Sequence, residues 1–400
     1  MGVYNLGVNY VWISYNSFIL PLQVQSIVPS DQKGLVLGAI VALSTTAGIL
    51  VNILSGVLSD NIRLGRGKRW PYILIGTALT VISLLLPAIL RLALFLVISS
   101  YFLVQIFTNL SAGSYQPLLP DLIEEKQRGE SSGIQGLMTL IGSAIGFGLT
   151  GYLTGLGYFQ YALVSLAAVF LFTTMITIRT IRAYDRSDAL RKAMKLRDAI
   201  SEIFRPRTVV SGFFWLVLGS FWIFMGSSGL TFFEIYYFET VLGISSPSSA
   251  AYAAGIAGIV ILVVSMVSAV VLGSLSDKVG RRNMIIGAAV VAGLATFLIP
   301  FLRSFNNFLV VACLVGGPLG VFNSVGFALA GDLSPKEEAG KYMAYSNLSV
   351  GGASAVATLV DGLMLYIFGS TSVTAFIMLF SLSAAFYFLG AALLLRVPRR

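Results

Sequence analysis

The chain has 400 residues, of which 56% are hydrophobic and only 11% charged, so it is too apolar for an ordinary soluble domain. Its apolar segments repeatedly exceed the roughly 20 residues that a helix needs to cross a bilayer. The formal net charge of +9 could indicate nucleic-acid binding, but the positions of the cations give another explanation. The sequence therefore predicts an all-α integral membrane protein that crosses the bilayer many times.

Twelve apolar segments follow one another along the chain. We predict spans at 3–28, 35–58, 72–90, 93–117, 131–153, 158–180, 208–238, 250–275, 283–302, 307–330, 341–367 and 372–396. The first is too long and too polar for a cleavable signal peptide. We expect residues 1–180 to form an N-terminal six-helix bundle and residues 208–400 a C-terminal one. The basic stretch 181–207 has apolar residues at helical spacing, which predicts either an amphipathic helix at the membrane surface or a solvated tether.

All but three of the 26 lysines and arginines fall on one side of this arrangement. The exceptions are Lys33, Arg91 and Arg303. Because cytoplasmic loops carry an excess of positive charge, we expect both termini in the cytoplasm of a plasma-membrane protein. The net charge thus reports topology, and nucleic-acid binding is the weaker interpretation. One cysteine, Cys313, provides no disulfide framework.

Two short motifs occur once in each half of the chain. The run Gly56–Asp60 (GVLSD) ends span 2 and returns as Gly273–Asp277 (GSLSD) at the end of span 8. Asp121 precedes a leucine at the end of span 4, as Asp332 does at the end of span 10. Two signals at matching positions indicate that the chain consists of two related six-span halves.

The pattern Gly-x-Leu-Ser-Asp-x-x-Gly-Arg-Arg at 273–282 resembles the signature between helices 2 and 3 of the major facilitator superfamily. Its variant at 56–69 has two extra residues. The runs 115–121 (YQPLLPD) and 66–71 (RGKRWP) resemble the glycoside-pentoside-hexuronide and sucrose-transporter branches. The resemblance covers the whole chain. It implies two pseudo-symmetric bundles, transport by alternating access, and a central cavity lined by spans 1, 4, 7 and 10.

The acids of the repeated motifs stand next to basic residues. A carboxylate there can accept charge-assisted hydrogen bonds from an arginine or a helix end. The resemblance implies a cytoplasmic gate, while the alternative is a charge cluster that only anchors a loop. The residues expected in the gate are Asp60, Arg66, Arg69, Asp121, Asp277, Arg281, Arg282 and Asp332. The partner of Asp121, among Lys126, Arg128 or the basic loops of the other half, is not assigned by the sequence.

Polar residues recur at helical spacing in spans 1, 4 and 11, and tryptophans do so in span 7. Such side chains are costly in lipid unless they face protein or a cavity, so they locate a pathway. The residues expected to bind substrate are Trp12, Asn16, Gln105, Asn109, Trp222, Asn323 and Asn347. Amides both donate and accept hydrogen bonds, which suits a neutral, hydroxyl-rich small molecule. The same polar stripes can instead join helices.

Three acids lie in or near spans away from the cytoplasmic side, namely Glu234, Glu239 and Asp361. A carboxyl withdrawn from water favours its protonated form and can couple proton binding to movement. Asp361 and Glu234 are the coupling candidates, and Asp361 continues the polar face of span 11. Both lie far along their spans, so an interfacial position with solvent access is the alternative.

The leading hypothesis is a sugar or glycoside transporter, acting as a monomer in the lipid bilayer without a cofactor. Proton symport and uniport are both open, because span 1 lacks the acid typical of proton-coupled sugar carriers. Span 2 likewise lacks the acids of melibiose-type sodium symporters. The alternative is an exporter of hydrophobic or amphipathic compounds, although span 4 lacks an internal arginine, which departs from drug–proton antiporters.

Two further classes are less well supported. A membrane sensor with a transporter fold is a remote alternative, because no extra domain supports it. An enzyme is disfavoured because the sequence has no histidine, no metal-ligand cluster and no nucleophile–base pair within a span.

Overall fold

The computed structural model describes residues 2–62, 68–90, 93–124, 127–185, 211–335 and 339–398. Within these ranges every regular element is a helix, which confirms the all-helical fold class. The expected linker 181–207 falls largely outside the described residues.

The long helices follow the predicted spans to within a few residues at each end. The first, α1, begins as helix Val3–Ser14, continues through a π-helical turn at Tyr15–Ile19 and ends as helix Leu20–Ile27. The others in the first half are α2 (Lys33–Asn61), α3 (Trp70–Ile89), α4 (Leu94–Tyr115), α5 (Arg128–Ile145, a π-helical turn Gly146–Thr150, and Gly151–Gly155) and α6 (Phe159–Ile181). A short helix, Leu118–Leu122, follows α4.

The second half contains six further long helices. They are α7 (Ser211–Thr240), α8 (Pro247–Val279), α9 (Arg281–Leu298, with a 3-10 turn Ile299–Phe301), α10 (Phe305–Leu333), α11 (Ala339–Phe368) and α12 (Val373–Leu394). In the described part of the chain, 11 helices are individually long and apolar enough to cross a membrane. The remaining predicted span, the first in the chain, is α1, whose three pieces form one continuous helical run.

Several helix ends have a local cause in the sequence. In the second half, α8, α10 and α12 each begin after a serine whose hydroxyl accepts a backbone N–H from the first turn. These serines are Ser246, Ser304 and Ser372. Such N-caps stabilise a helix by about 1 kcal/mol each. Between α8 and α9, Gly280 has a φ of 94°, a backbone conformation that favours glycine.

The described residues group into two compact units. The first takes its residues from Met1–Gln23 and Leu43–Arg207, and the second from Val24–Ala42 and Thr208–Arg400. The segment Val24–Ala42, which comprises the end of α1 and the beginning of α2, therefore groups with the second half of the chain.

In the first unit, α1 packs on α5 and α6, and α3 packs on α4 and α6. Glycine permits close backbone approach, since a Cβ at Gly76 of α3 would lie 2.8 Å from a backbone carbonyl oxygen of α4. Hydroxyl groups join the helices further. The Tyr4 hydroxyl donates to Ser111 Oγ at 2.8 Å, and Ser14 Oγ lies 2.7 Å from Thr150 Oγ1.

In the second unit, α7 packs on α11 and α12, and α10 packs on α8 and α9. Near the end of α7, Tyr237 lies at the centre of an aromatic cluster. Its ring centroid is 5.3 to 6.0 Å from those of Phe238, Phe308, Phe376 and Phe380. The Tyr237 hydroxyl donates to the Ile299 carbonyl at 2.7 Å, so this buried ring also has a polar partner.

The segment Val24–Ala42 joins the second unit by a tight helix contact and a polar cluster. A Cβ at Gly34 would lie 2.6 Å from Leu365 Cβ of α11, so a larger residue would force the two helices apart. Glu239 Oε2, at the end of α7, lies 3.7 Å from Lys33 Nζ and accepts a hydrogen bond from Gln25 Nε2 at 2.6 Å.

Each unit ties the beginning of one helix to the end of another through a charged side chain. Asp185, just after α6, accepts the backbone N–H groups of Arg69 and Trp70 at 2.8 and 2.9 Å, at the beginning of α3. Arg282, at the beginning of α9, donates to two carbonyl oxygens at the end of α12, at 3.0 and 2.6 Å. An acid at a helix N-terminus and a base at a C-terminus both interact favourably with the helix dipole.

Replacing Asp185 with alanine is expected to lower the free energy of unfolding by about 1–2 kcal/mol, because two N–H groups at the beginning of α3 lose their acceptor. Denaturant unfolding in detergent micelles, followed by circular dichroism, measures this change. The matched control is Glu124→Ala, which removes an exposed acid and should change stability by no more than about 0.5 kcal/mol. Equal effects of the two variants would contradict the role assigned to Asp185.

Candidate functional site

The first unit contains a narrow cleft between α1 and α4. Its walls are polar and aromatic, and they comprise Val11, Trp12, Tyr15, Asn16, Tyr101, Val104, Gln105 and Thr108. The space inside has room for about one water molecule. Three of the residues predicted to bind substrate, Trp12, Asn16 and Gln105, therefore lie together in one cleft.

A series of hydrogen bonds runs from α1 through α4 to α2. The Tyr101 hydroxyl donates to Asn16 Oδ1 at 3.0 Å, and Gln105 Nε2 donates to the Tyr101 hydroxyl at 2.8 Å. Asn109 Nδ2 donates to the backbone carbonyl oxygen of Gln105 at 2.8 Å, and Asn52 Nδ2 donates to Asn109 Oδ1 at 3.3 Å. Tyr101, Gln105 and Asn109 are buried. These five side chains form the polar relay.

The polar relay is uncharged, and each of its members can both donate and accept hydrogen bonds. Such a network can exchange internal hydrogen bonds for bonds to the hydroxyl groups of a ligand without burying a new charge. The rings of Trp12 and Tyr15 supply flat apolar faces beside it. The chemistry of the cleft therefore suits a small neutral molecule that carries hydroxyl groups.

Local sequence features position the polar relay. Tyr101, Gln105 and Asn109 are spaced four residues apart on α4 and so share one face of the helix. In α1, the π-helical turn Tyr15–Ile19 changes the directions in which the following side chains point. On α2, Gly48 leaves room for the amides, because a Cβ there would lie 2.7 Å from Asn109 Nδ2.

Two relay members were not predicted from the sequence. The four-residue spacing of the α4 amides extends back to Tyr101, so this signal could have identified it. Asn52 joins the relay only through the contact between α2 and α4, which the sequence does not specify. Conversely, Asn5 of the polar stripe in span 1 donates to Gln135 of α5 at 3.3 Å, so it joins two helices.

The other three predicted substrate residues lie in the second unit. Trp222 of α7 packs against Phe221 and Phe386, with ring centroids 5.9 and 5.3 Å away. Asn323 of α10 and Asn347 of α11 are exposed, and neither side chain forms a hydrogen bond within the described residues. The structure thus brings the predicted residues of the first half together, whereas those of the second half have no comparable network among the residues described.

The second unit also contains a cavity of about 370 Å³ between α7 and α11. It is lined by Phe213, Phe214, Val217, Leu218, Phe221, Tyr345, Leu348 and Ser349. The lining is almost entirely apolar, and Ser349 Oγ donates to the Val217 carbonyl at 2.8 Å. This apolar cavity was not predicted, although the abundance of aromatic residues in the sequence is consistent with it.

Both coupling candidates are buried in the second unit. Asp361 of α11 is 0% exposed and Glu234 of α7 is 4% exposed. The solvent access that the alternative assumed is therefore wrong. Counting residues along a helix could not show that neighbouring helices cover the two side chains.

In the first unit, one arginine joins the two acids of the repeated motifs. Arg69 Nη2 lies 2.6 Å from Asp60 Oδ1 and 2.8 Å from Asp121 Oδ2. Lys68 Nζ lies 3.1 and 3.2 Å from the same two carboxylates. The Arg69 side chain is only 3% exposed. These four residues form the first charge cluster, and in it Asp121 has two partners, Lys68 and Arg69, that were not among the candidates named from the sequence.

The second unit repeats this arrangement with Arg281. Its Nη2 lies 3.1 Å from Asp277 Oδ1, and its Nη1 lies 2.7 Å from Asp332 Oδ2, which defines the second charge cluster. In each half, one arginine thus joins the acid near the end of the second helix to a second acid, which is Asp121 in the short helix after α4 and Asp332 near the end of α10. Arg282, also predicted for the gate, instead bonds to the end of α12. Arg66 lies outside the described residues.

Many apolar helices of membrane-spanning length, with an uncharged polar cleft between two helices of the first unit, are typical of a multi-pass membrane transporter. The sequence model of the Major Facilitator Superfamily matches residues 6–272 and 261–400. The chain therefore belongs to the major facilitator superfamily and is a transporter, not an enzyme. No curated protein matches the chain.

Solved transporter structures share the fold over nearly the whole chain. The nucleoside transporter NupG is 12% identical, with a TM-score of 0.73 and 98% of each chain covered. A D-xylose-proton symporter is 17% identical, with a TM-score of 0.71 over 98% of this chain and 94% of that chain. A peptide transporter POT in complex with alafosfalin is 15% identical, with a TM-score of 0.73 over 98% and 93%. Because their cargoes differ, these similarities establish the fold and not the substrate.

Replacing Arg69 with alanine is expected to lower the free energy of unfolding by about 1–2 kcal/mol, because two carboxylates lose their shared donor. This value is reduced for solvent screening, since Asp60 and Asp121 are both more than a third exposed. The matched control is Lys68→Ala, which removes a more exposed contact to the same acids and should cost less than about 1 kcal/mol. Unfolding in detergent micelles compares the two. If Lys68→Ala lowered the free energy of unfolding more than Arg69→Ala did, Arg69 would not be the main stabilising residue of the cluster.

Proposed function

We propose that the protein is a secondary transporter that moves a sugar or glycoside across the plasma membrane by alternating access. The polar relay is the observation that carries this proposal. Three of its five members, Asn16, Tyr101 and Gln105, line one cleft beside Trp12, and their hydrogen-bonding groups match the hydroxyl groups of a sugar. The cleft has room for about one water molecule, so binding of a sugar requires it to widen during the transport cycle.

The placement of the cations favours a neutral substrate. Among the described residues, the buried basic side chains are Lys33, Arg69 and Arg282. Lys33 pairs with Glu239, Arg69 bonds to the acids of the first charge cluster, and Arg282 bonds to the end of α12. None of the three lines the cleft, so an anionic substrate would find no buried cation there.

A second candidate function is export of hydrophobic or amphipathic compounds. The apolar cavity between α7 and α11 supports it, because a site of about 370 Å³ lined by aromatic and aliphatic side chains can accept an apolar group. An apolar substrate would form no hydrogen bonds with the polar relay, so sugar transport is the leading proposal.

The charge clusters suit a role in the transport cycle. Each ties together the ends of three helices within its own half, α2, α3 and the short helix after α4 in the first and α8, α9 and α10 in the second. We propose that they keep these ends together while the protein changes conformation, on the cytoplasmic side that also holds both termini. A monomer suffices for this mechanism.

Counterflow of a labelled hexose or disaccharide in proteoliposomes tests the proposal. Saturable exchange is expected, and repeating it with and without a pH gradient separates uniport from proton symport. Absence of counterflow with every common mono- and disaccharide, together with transport of an apolar dye, would establish the second candidate instead.

Replacing Gln105 with leucine is expected to raise the half-saturating sugar concentration about tenfold or more, the equivalent of about 1.4 kcal/mol, since the centre of the polar relay is lost. Counterflow kinetics measure this constant. The matched control is Gln135→Leu on α5, which makes the same chemical change outside the relay. Equal shifts in both variants would show that the relay does not bind the sugar.

A further inference from the structure

A buried polar site lies where α7, α11 and α12 meet in the second unit. Gly229 of α7 faces Asp361 of α11 and Ser383 of α12. A Cβ at Gly229 would lie 3.2 Å from Asp361 Oδ2 and 3.4 Å from Ser383 Oγ. Both side chains therefore lie near Gly229, together with a methyl group of Leu379, whose Cδ2 would be 2.9 Å from the same Cβ.

The oxygens of this site are fully withdrawn from solvent. Asp361 and Ser383 are both 0% exposed. Within the described residues, Asp361 Oδ1, Asp361 Oδ2 and Ser383 Oγ form no hydrogen bond. A buried carboxyl and a nearby hydroxyl without partners indicate a bound species that satisfies them, because an unpartnered buried polar group costs about 1–3 kcal/mol.

No cation of the described chain neutralises Asp361. The titratable side chains that the structure describes on its own helix and on the neighbouring helices are Tyr342, Tyr345 and Tyr366 on α11, Glu234, Tyr236, Tyr237 and Glu239 on α7, Tyr387 on α12, Cys313 and Asp332 on α10, and Lys33 and Asp60 on α2. Among the described residues, none forms an ion pair or hydrogen bond with Asp361. Lys33 is paired with Glu239.

We propose that Asp361 and Ser383 form the proton-binding site of this transporter, an assignment that rests on the proposed transport function. A buried carboxylate ion without partners is strongly unfavourable, so the group has to hold a proton or a cation. Two side chains offer three oxygens, whereas hard cations such as Ca²⁺ and Mg²⁺ take about six or more oxygen ligands. The oxygen set therefore fits a proton, taken from water to form the carboxyl O–H of Asp361, with the Ser383 hydroxyl lying near the same glycine.

The location of the site connects proton binding to helix packing. The next residue of α11, Gly362, contacts the segment Val24–Ala42, since a Cβ at Gly38 would lie 3.2 Å from the Gly362 Cα. Loss of the proton would leave a charge among α7, α11 and α12 that only water or a cation can stabilise. Release of the proton therefore requires these helices to separate, close to the contact with the beginning of α2.

Infrared spectroscopy of the purified protein in proteoliposomes, without substrate, tests the site directly. At a pH of about 7 exposed carboxyl groups are ionised, so a protonated-carboxyl C=O band reports buried acids only. The wild type should show this band, Asp361→Asn should lose one component of it, and Ser383→Ala should shift that component. The control Glu234→Gln should retain it.

Absence of the band from the wild type at a pH of about 7 would overturn the proposal without any variant. It would also be overturned if Glu234→Gln, and not Asp361→Asn, removed the component. If addition of sodium abolished the component in the wild type, the site would be a sodium site instead. Because the spectra require no sugar, they test this site even if sugar counterflow fails.

Discussion

A polar side chain within a membrane-spanning helix has to find its partner inside the protein, because hydrocarbon offers none. This constraint accounts for most of the hydrogen bonds between helices in the first unit, such as Tyr4 with Ser111. It also makes the polar relay informative. The relay is internally bonded, yet it lines a cleft, so its hydrogen bonds can be exchanged for those of a ligand. Asp361 and Ser383 are among the buried groups whose polar atoms find no partner in the described residues, and there we propose a bound proton.

The two halves form corresponding contacts between helix ends with different residues. An arginine joins the two acids of the repeated motifs in both, but Arg69 begins α3 nine residues after its acid, whereas Arg281 follows Asp277 by one helical turn. The beginning of the third helix is tied to the end of the sixth by an acid in one half, Asp185, and by a base in the other, Arg282. Both choices satisfy the helix dipole, so the contact can persist although the charge is reversed.

Length, hydropathy and the repeated motifs were enough to predict the helices and the family, because a bilayer imposes a nearly fixed span length. Spacing along a single helix also predicted Gln105 and Asn109 correctly as neighbours. Partners on different helices could not be predicted in the same way. No sequence pattern indicated the roles of Asn52, Asp185 and Ser383, because the contacts of each depend on which helices pack together. For the same reason, the sequence left open whether Asp361 is buried or open to solvent.

The central claim is that a neutral sugar binds beside the polar relay, next to Trp12. The chain has four tryptophans, so replacing Trp70, Trp215 and Trp222 with phenylalanine leaves Trp12 as the only indole. Titration of this variant with a transported sugar should change the Trp12 fluorescence in a saturable manner. The account would be contradicted if sugars left this emission unchanged while a variant retaining only Trp222 responded to apolar compounds.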